Sequence, residues 1–566
     1  MALDSAWNMY IFRDGKSVLR GSELLREFAR ELTHFGDALP RSNSNAFLDL
    51  LLRAGELECA LADAGSRYAA LAATITDALA DSLVTGNVLR AKDLARRAAL
   101  VAPPETVSVS TPEGFAYYAL HPLDFADLAK KFETHSRYAA VIGIRSIGTT
   151  LSAITQAALR VQGLHVERIT LRPEGHPYDR KTVLTSAQLQ WIATMRSHRA
   201  DFFVVDEGPG MSGSSFLSVG EALLSAGVDR ARIAFAGTRE ADPASLTSAN
   251  ARARWPSFKF YCTDPTKHLP KGAHQYVAGG IWRANVFESE SDWPASWLQM
   301  ERLKFLSKDG NTLYRFEGFG RFGADVHDRV IRVAEAGFGP LPHAREEGFG
   351  VYRMVRGRTL TATDVNASVI QRLADYCAFR AKAFAAESPE MSSLQNMLRF
   401  NVMEEFGIEL PAERLTFEVR KPVLADGRML SHKWIDSDGA LLKVDTASHG
   451  DDHFFPGPTD IAWDLAGAIV EWELEPDAAS YLVERYQVAA LDDVKDRLPT
   501  YLLAYAIFRM GYCKMATASM RGAEEESRLR RDYLRYRRLA LKQLETSTGR
   551  SFTLALAAAE ANSYAA

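Results

Sequence analysis

The stretch DFFVVDEGPGMSGSSF, residues 201–216, decides how the first half of the chain is read. Phe202, Phe203, Val204 and Val205 form a short unbroken apolar run, the pattern of a strand buried on both faces. The run ends on two carboxylates, Asp206 and Glu207. Gly208, Pro209 and Gly210 make a turn, and Met211 follows. Ser212, Gly213, Ser214 and Ser215 then lead into an amphipathic segment with apolar residues at Phe216, Val219, Leu223 and Leu224. The order is strand, acidic edge, small-residue loop, helix start. Such a loop offers backbone N–H groups and hydroxyls to a phosphate at a helix N-terminus. Carboxylates repel a phosphate, but they suit the two hydroxyls of a ribose or a Mg2+ ion. The element therefore reads as a cradle for ribose 5-phosphate.

Outward from this loop, strands and helices alternate. Residues 138–144 (YAAVIGI) read as a strand, followed by Arg145, Ser146, Ile147 and Gly148 and a helix over 149–162. Residues 165–171 and 231–238 read as further strands, and 186–198 as a helix. A polar loop, 172–181 (RPEGHPYDRK), separates 165–171 from that helix. This alternation predicts a doubly wound parallel sheet, an α/β fold. Residues 1–104 carry three- and four-residue apolar steps over 22–35, 45–64 and 68–83, and read as a helical N-terminal hood. Pro103 and Pro104 end that pattern, and 107–110 alternates like a short strand. Residues 252–300 are irregular, and a Pro-, Gly- and Trp-rich junction is expected there. The remainder reads as α+β: strands at 312–316 and 348–355, helices over 364–386 (Asp364 as N-cap) and 394–406, strands and turns over 415–444, and helices from 460 to 544. The arginine-rich run 528–538 reads as a solvated helix face balanced by Glu524, Glu525 and Glu526. The expected domains are 1–104, 105–290 and 291–566.

At 566 residues the chain exceeds one ordinary core. Apolar content of 47% and charged content of 24% are those of a globular protein. A net charge of −4 points to neither nucleic acid nor a membrane as partner. Cys59, Cys262, Cys377 and Cys513 stand far apart, which fits neither a metal-ligand spacing nor a disulfide framework, and a reducing cytoplasm is expected. The N-terminus lacks the pattern of a secretory signal, and no apolar run reaches the length of about 18 residues that a spanning helix needs.

The 206–215 element resembles the phosphoribosyl-diphosphate loop of type I phosphoribosyltransferases. In that family two acidic residues hold the ribose hydroxyls, and a short loop wraps the 5-phosphate. Asp206 and Glu207 match the acidic pair; Ser212, Gly213, Ser214 and Ser215 match the wrap, and Gly210 and Met211 of the intervening segment are expected substrate contacts with them. The second acid is Glu where Asp is usual, and four residues rather than three precede Ser212. Upstream, VIGIRSIG (141–148) is similar to the family's diphosphate loop, which implies that Arg145, Ser146 and Gly148 face the diphosphate. Loop 172–181 falls where the family carries a mobile flap, so Arg172, Arg180 and Lys181 are expected to close over the leaving group, with His176 read as a loop residue. The resemblance implies Mg2+, with Asp206 beside it, and an oxocarbenium-like transition state. It assigns catalysis to Asp206, Glu207, Arg145 and Lys181. The family commonly dimerises, so a homodimer stands among the expectations.

A second dense region, HKWIDSDGALLKVDTASHGDDHFFPGPTDIAWDL (432–465), resembles the C-lobe of aminoglycoside- and choline-kinase-like phosphotransferases. The resemblance makes Asp445 a metal ligand, places Asp460 and Asp464 at an anchoring position, leaves His432 as a remnant of the catalytic loop, and implies ATP. Lys433 and Trp434 stand where the catalytic Asp would follow. In the candidate N-lobe, Arg315 takes the place of a nucleotide-binding Lys, and Gly318, Gly320 and Gly323 read as a glycine-rich loop. A local alternative is a metal cluster of Asp445, His449, Asp451, Asp452 and His453. Together these readings predict a Mg2+-dependent phosphoribosyltransferase, moving ribose 5-phosphate from phosphoribosyl diphosphate to a nitrogenous small-molecule acceptor, with a fused kinase-like domain. The alternatives are a non-catalytic protein that senses nucleotides or phosphoribosyl diphosphate, and a small-molecule phosphotransferase.

Overall fold

The structure is a computed structural model that describes residues 9–11, 16–36, 44–176, 178–264, 267–387, 389, 391–445 and 457–549. In chain order its first elements are β1 (Lys16–Arg20), α1 (Gly21–Phe35), α2 (Ser44–Asp63), α3 (Ala69–Thr85), α4 (Ala91–Ala99), β2 (Thr106–Ser110) and α5 (Glu113–Ala116). There follow α6 (Leu123–Ala129), β3 (Tyr138–Ile144), α7 (Ile147–Val161), β4 (His165–Leu171), α8 (Ser186–Ser197), β5 (Asp201–Val205), α9 (Ser214–Ser225), β6 (Ile233–Gly237), α10 (Ala251–Arg254) and β7 (Lys259–Cys262).

Strands β3 to β7 form a parallel sheet in the order β4-β3-β5-β6-β7. Its central strands are buried on both faces, and their side chains sort by the period of two. Ala139, Val141, Phe203, Val205, Ala234 and Ala236 enter one core. Ala140, Ile142, Phe202, Val204, Ile233 and Phe235 enter the other. The first core is completed by α7 and the N-terminal helices. Helix α2 crosses α7 closely, because a Cβ at Gly55 would collide with the Thr150 hydroxyl. Arg168 of β4 reaches Glu58 of α2 at 2.8 Å and Asp77 of α3 at 2.7 Å, with Arg168 and Glu58 almost wholly buried. The N-terminal helices thus form a hood tied to the sheet by packing and by a buried ion-pair triad.

Two elements here differ from expectation. Residues 259–262, expected in an irregular junction, form the edge strand β7; an edge strand of four residues has little room to show a period. β1 pairs antiparallel with β2 from Lys16↔Ser110 to Arg20↔Thr106, a ribbon whose first strand is too exposed to carry an apolar pattern.

The second half contains β8 (Gln275–Tyr276), β9 (Lys304–Leu306), β10 (Thr312–Phe316), α11 (Gly320–Glu335), β11 (Pro342–Glu346) and β12 (Phe349–Arg353). These strands form an antiparallel sheet in the order β11-β12-β10-β9-β8. Phe316, Phe319, Phe349 and Val351 pack into the same core as the hood. The expected glycine-rich loop is absent at 318–323: Gly320 and Gly323 lie in α11, where Gly323 lets the helix meet the Gly318 carbonyl. The helices that follow are α12 (Ala367–Ala383), α13 (Ser392–Phe406), α14 (Ala462–Glu471), α15 (Pro476–Ala490), α16 (Leu498–Ser519) and α17 (Glu524–Thr548). Asn366, not Asp364, caps α12, accepting from the Ser368 and Val369 N–H groups at 2.9 and 3.1 Å. Asp364 instead accepts the Thr361 N–H at 2.8 Å.

The arginine run on α17 is solvated only in part: Arg530, Arg531 and Arg538 are exposed, whereas Arg528, Arg535 and Arg537 are drawn into packing. Arg528 pairs with Glu525 at 3.2 Å, Arg535 with Glu471 at 3.1 Å and Arg537 with Glu405 at 2.7 Å. α17 packs along α16, and the arginine heads meet carboxylates that this packing buries. No helix among the described residues is long and apolar enough to cross a membrane.

Candidate functional site

In a doubly wound sheet the ligand crevice lies outside the carboxyl ends of the strands where the order reverses. Here that point lies between β3 and β5, which have β4 and β6 on their outer sides. The 145–148 and 206–215 loops both leave the sheet at this edge. Sequence reasoning singled out both loops, and the fold brings them together.

Asp206 and Glu207 are held by the neighbouring strand: the Asp206 N–H donates to the Ala236 carbonyl at 3.2 Å, and the Thr238 N–H donates to the Glu207 carbonyl at 2.7 Å. Desolvation pushes the Asp206 carboxyl up to about 7; its own flanking backbone N–H, Arg172 and Arg180 act against that shift, and Glu113 adds to it. Desolvation, then Glu113 and Asp206, push Glu207 up to about 8, against the Gly114 N–H and Arg239. Asp206 and Glu207 thus share a poorly hydrated edge, with the exposed Glu113 beside it. Helix α5 stands over Glu207, so that a Cβ at Gly114 would lie 3.0 Å from the Glu207 carboxyl carbon.

Ser146 has φ 97° and ψ −113°, a backbone conformation that L side chains rarely adopt. Such strain persists where the surroundings dictate it, and it clusters at ligand sites. The turn carries the chain from β3 directly into α7. Gly148 then allows α7 to approach β5, since a Cβ there would sit 2.6 Å from the Val205 carbonyl. Gly148 is therefore a close-packing position, 3.5 Å from the Asp206 carboxylate by the same measure, rather than an open ligand contact.

In the second loop Gly210 is exposed with φ 56°, and Gly213 turns at φ 68° against Trp255. The Gly213 N–H closes the turn on the Pro209 carbonyl at 2.7 Å, and the Met211 carbonyl accepts from Thr247 N–H at 3.1 Å. The Ser212 hydroxyl accepts from the Ser214 N–H at 3.2 Å and lies 3.0 Å from its hydroxyl. Ser212 and Ser214 are buried, and Ser215, in the first turn of α9, is half-buried.

Beside this edge lies a cavity of about 700 Å³, roofed by the hood. Arg145, Ser146, Arg172 and Arg180 line it; Asp206 and Glu207 do not. Its volume is that of a typical small-molecule site. The hood contributes residues that the sequence did not single out: Glu56, Cys59 and Asp63 of α2, with Ser108 and Ser110 of β2. Asp63 gathers both arginines, at 3.2 Å from Arg145 and 3.1 Å from Arg172 Nε. Arg145 also donates to the Ala62 carbonyl of α2 at 3.2 Å, so its head faces the hood, while its Nε is tied to Thr170 of β4 at 3.3 Å. Loop 172–181 is a small hairpin, closed by Glu174 and Lys181 through reciprocal backbone bonds of 2.8 Å. Arg180 points inward and donates to the Pro173 carbonyl at 3.3 Å; Lys181 is exposed and pairs with Asp179 at 2.7 Å.

A second cleft lies beneath the antiparallel sheet. Val277, Trp282, Leu306, Leu313 and Val444 line its apolar part. At its polar end Asp445 is bracketed by Arg315, in direct ion-pair contact, and by Lys433 at 3.1 Å. The carboxylate expected to hold a metal thus meets two cations. Among the described residues no three His, Cys, Asp or Glu side chains form a group that could hold a metal ion. His449, Asp451, Asp452 and His453 lie outside the described residues. His432 is desolvated and held neutral by burial and by Lys433, which lower its pKa well below the ordinary value. Asp464 accepts from the Asp426 and Gly427 N–H groups at 2.9 Å, and Asp460 from those of Arg420 and Lys421 at 2.8 Å, so they hold the 420–427 backbone, upstream of His432.

No protein-family model matches the chain, and no curated protein sequence matches it. Among solved structures it is similar to a choline/ethanolamine kinase family protein from Mesorhizobium loti, at 16% identity over 42% of this chain and 84% of that one, with a TM-score of 0.31. It is also similar to a choline kinase from Cryptosporidium parvum, at 11% identity over 48% and 96% of the two chains, with a TM-score of 0.31. An aminoglycoside 2'-phosphotransferase in complex with GDP matches at 13% identity over 41% and 89%, with a TM-score of 0.28. Overlap at this level assigns no activity.

Proposed function

We propose that the crevice between β3 and β5 binds phosphoribosyl diphosphate and transfers its ribose 5-phosphate to a nitrogenous acceptor lodged under the hood. The observation that carries this reading is the meeting of two loops at the switch point: the strained Ser146 turn and the acid pair followed by the Ser212–Ser215 wrap. In the reaction the bond from C1 to the diphosphate oxygen breaks as the acceptor nitrogen bonds to C1 and loses its proton. Positive charge grows on the sugar ring, where Asp206 and Glu207 stabilise it once ionised. Arg145, Arg172 and Arg180 line the cavity on the side to which the diphosphate would leave, whereas Lys181 on the 174–181 hairpin is exposed and would have to leave Asp179 to reach it. Mg2+ bound with the diphosphate would neutralise the leaving group. Asp206 and Glu207 fit that ion as a desolvated carboxylate pair, and the ligand's own oxygens would complete its shell.

The test is calorimetry of phosphoribosyl diphosphate with Mg2+, followed by mass spectrometry of an incubation with a panel of bases. Binding and diphosphate release are expected, and both should vanish in Asp206→Asn/Glu207→Gln. Undiminished binding by that variant would sink the assignment. Binding without release for any base would leave the sensing alternative in its place.

A second reading concerns the other cleft: a nucleotide site of the small-molecule phosphotransferase kind. It is supported by the sheet order β11-β12-β10-β9-β8 over an apolar slot that ends on Arg315, Lys433 and Asp445. ATP binding that depends on Lys433 would support it.

A further inference from the structure

The second cleft has an unusual charge balance. Lys304, Arg315 and Lys433 line its polar end with Asp445, and a smaller pocket that shares these residues adds Arg428 and the carboxylate of Glu301. Both carboxylates are already engaged. Glu301 accepts from Trp282 Nε1 at 2.9 Å and from the Gly280 N–H at 3.1 Å, and lies 3.8 Å from Lys304. Asp445 is held by Arg315 and Lys433. Lys304 is desolvated, and burial lowers its pKa, with Lys433 and Arg315 adding to that effect against Glu301 and Asp445. Arg428 is half-buried and lines the smaller pocket.

In metal-dependent phosphoryl transfer, carboxylates hold divalent ions and the ions neutralise the phosphates. Here the cations are side chains, and the carboxylate in the metal's place serves them. A Mg2+ ion entering beside Asp445 would have to displace Arg315 and Lys433, or lie against their charge. Among the described residues, a bare polyphosphate would meet the cations Arg315, Lys433 and Arg428, with Lys304 beside them, in excess of the carboxylates Glu301 and Asp445. The apolar part of the cleft is lined by Leu306, Leu313 and Val444, side chains that suit a nucleobase ring.

We propose that this cleft binds a nucleoside polyphosphate without a divalent metal, with Lys304, Arg315, Lys433 and Arg428 taking the neutralising role. The inference rests on the nucleotide reading of the cleft and is independent of the phosphoribosyl site. Its consequence has an opposite sign to that of a metal-dependent enzyme. Mg2+ cancels two of the charges on the nucleotide, so it weakens binding here.

The experiment titrates the full chain carrying Asp206→Asn/Glu207→Gln, which silences the first crevice, with ATP in EDTA and again in excess Mg2+. Affinity is expected to be at least about tenfold higher in EDTA. Asp445→Asn, in the same background, should bind metal-free ATP at least as tightly, because it removes a negative charge from the cleft. Lys433→Met and Arg428→Gln should each weaken binding several-fold, with thermal unfolding confirming that every variant is folded. Tighter binding with Mg2+, or loss of binding by a folded Asp445→Asn, would overturn metal independence while keeping the nucleotide reading. No ATP binding under either condition would remove both.

Discussion

At the scale of single residues, the raised pKa values of Asp206 and Glu207 have a definite sign. Folded, the two carboxyls keep protons up to about 7 and about 8, where the unfolded chain releases them near 4. Between those limits the folded state binds more protons than the unfolded one, so stability falls as pH rises through the window. The ligand-free protein should therefore unfold at a lower temperature at pH 8 than at pH 5. Asp206→Asn/Glu207→Gln should flatten the slope; equal slopes in both proteins would place the effect elsewhere. Ribose hydroxyls and Mg2+ favour the ionised forms, so affinity for phosphoribosyl diphosphate should rise over the same range. A second residue-scale prediction concerns Asp63, whose carboxylate lies against the arginines assigned to the diphosphate. A bound diphosphate must compete with it, so Asp63→Asn should tighten phosphoribosyl diphosphate severalfold in calorimetry, and weaker binding would mean that Asp63 positions the arginines rather than competes for them. The acid pair and the small-residue loop were legible in the sequence because their chemistry is local. Asp63 was not, since a lone acid on a helix reads as surface until tertiary packing brings Arg145 and Arg172, more than eighty residues away, against it.

At the scale of elements, the hood is held to β4 by Arg168, Glu58 and Asp77. Removing one partner of a buried ion pair costs on the order of 3 kcal/mol or more, and less here because Asp77 still pairs with Arg168. Glu58→Gln should thus lower the denaturant midpoint clearly with an unchanged slope, whereas Glu58→Gln with Arg168→Met should recover part of the loss. A double variant worse than the single one would show that the triad contributes more than its charge balance. The elements legible from sequence were those with a strong period: β3, β4, β5 and β6 as apolar runs, α2 and α3 as amphipathic helices. α11 was hidden by its glycines, although Val326, Val330 and Val333 already lie at helical steps along it. β8 and β1 are short or exposed, and only pairing partners distant in sequence define them.

At the scale of the whole molecule, the two halves meet at the site rather than beside it. The Phe319 N–H donates to the Phe115 carbonyl at 2.9 Å, one residue from the Gly114 N–H that faces Glu207. Arg302 donates to the carbonyls of both Ala116 and Glu317 at 3.2 Å. Arg321, at the start of α11, pairs with Glu56 in the wall of the first cavity, and its N–H donates to Asp49 at 3.0 Å. A ligand that orders Glu207 and α5 therefore acts on the N-terminus of α11, and through it on the sheet that covers the second cleft. Coupling of this kind is reciprocal in binding free energy. Phosphoribosyl diphosphate should slow hydrogen exchange at residues 319–324 as well as at 113–117, although the former touch no part of the ligand. Arg321→Ala should reduce the protection of 319–324 while leaving that of 113–117 in place. It should also reduce by the same factor the effect of each ligand on the affinity of the other. Protection confined to 113–117 in the parent protein would show that the shared core joins the two halves mechanically but does not link their sites.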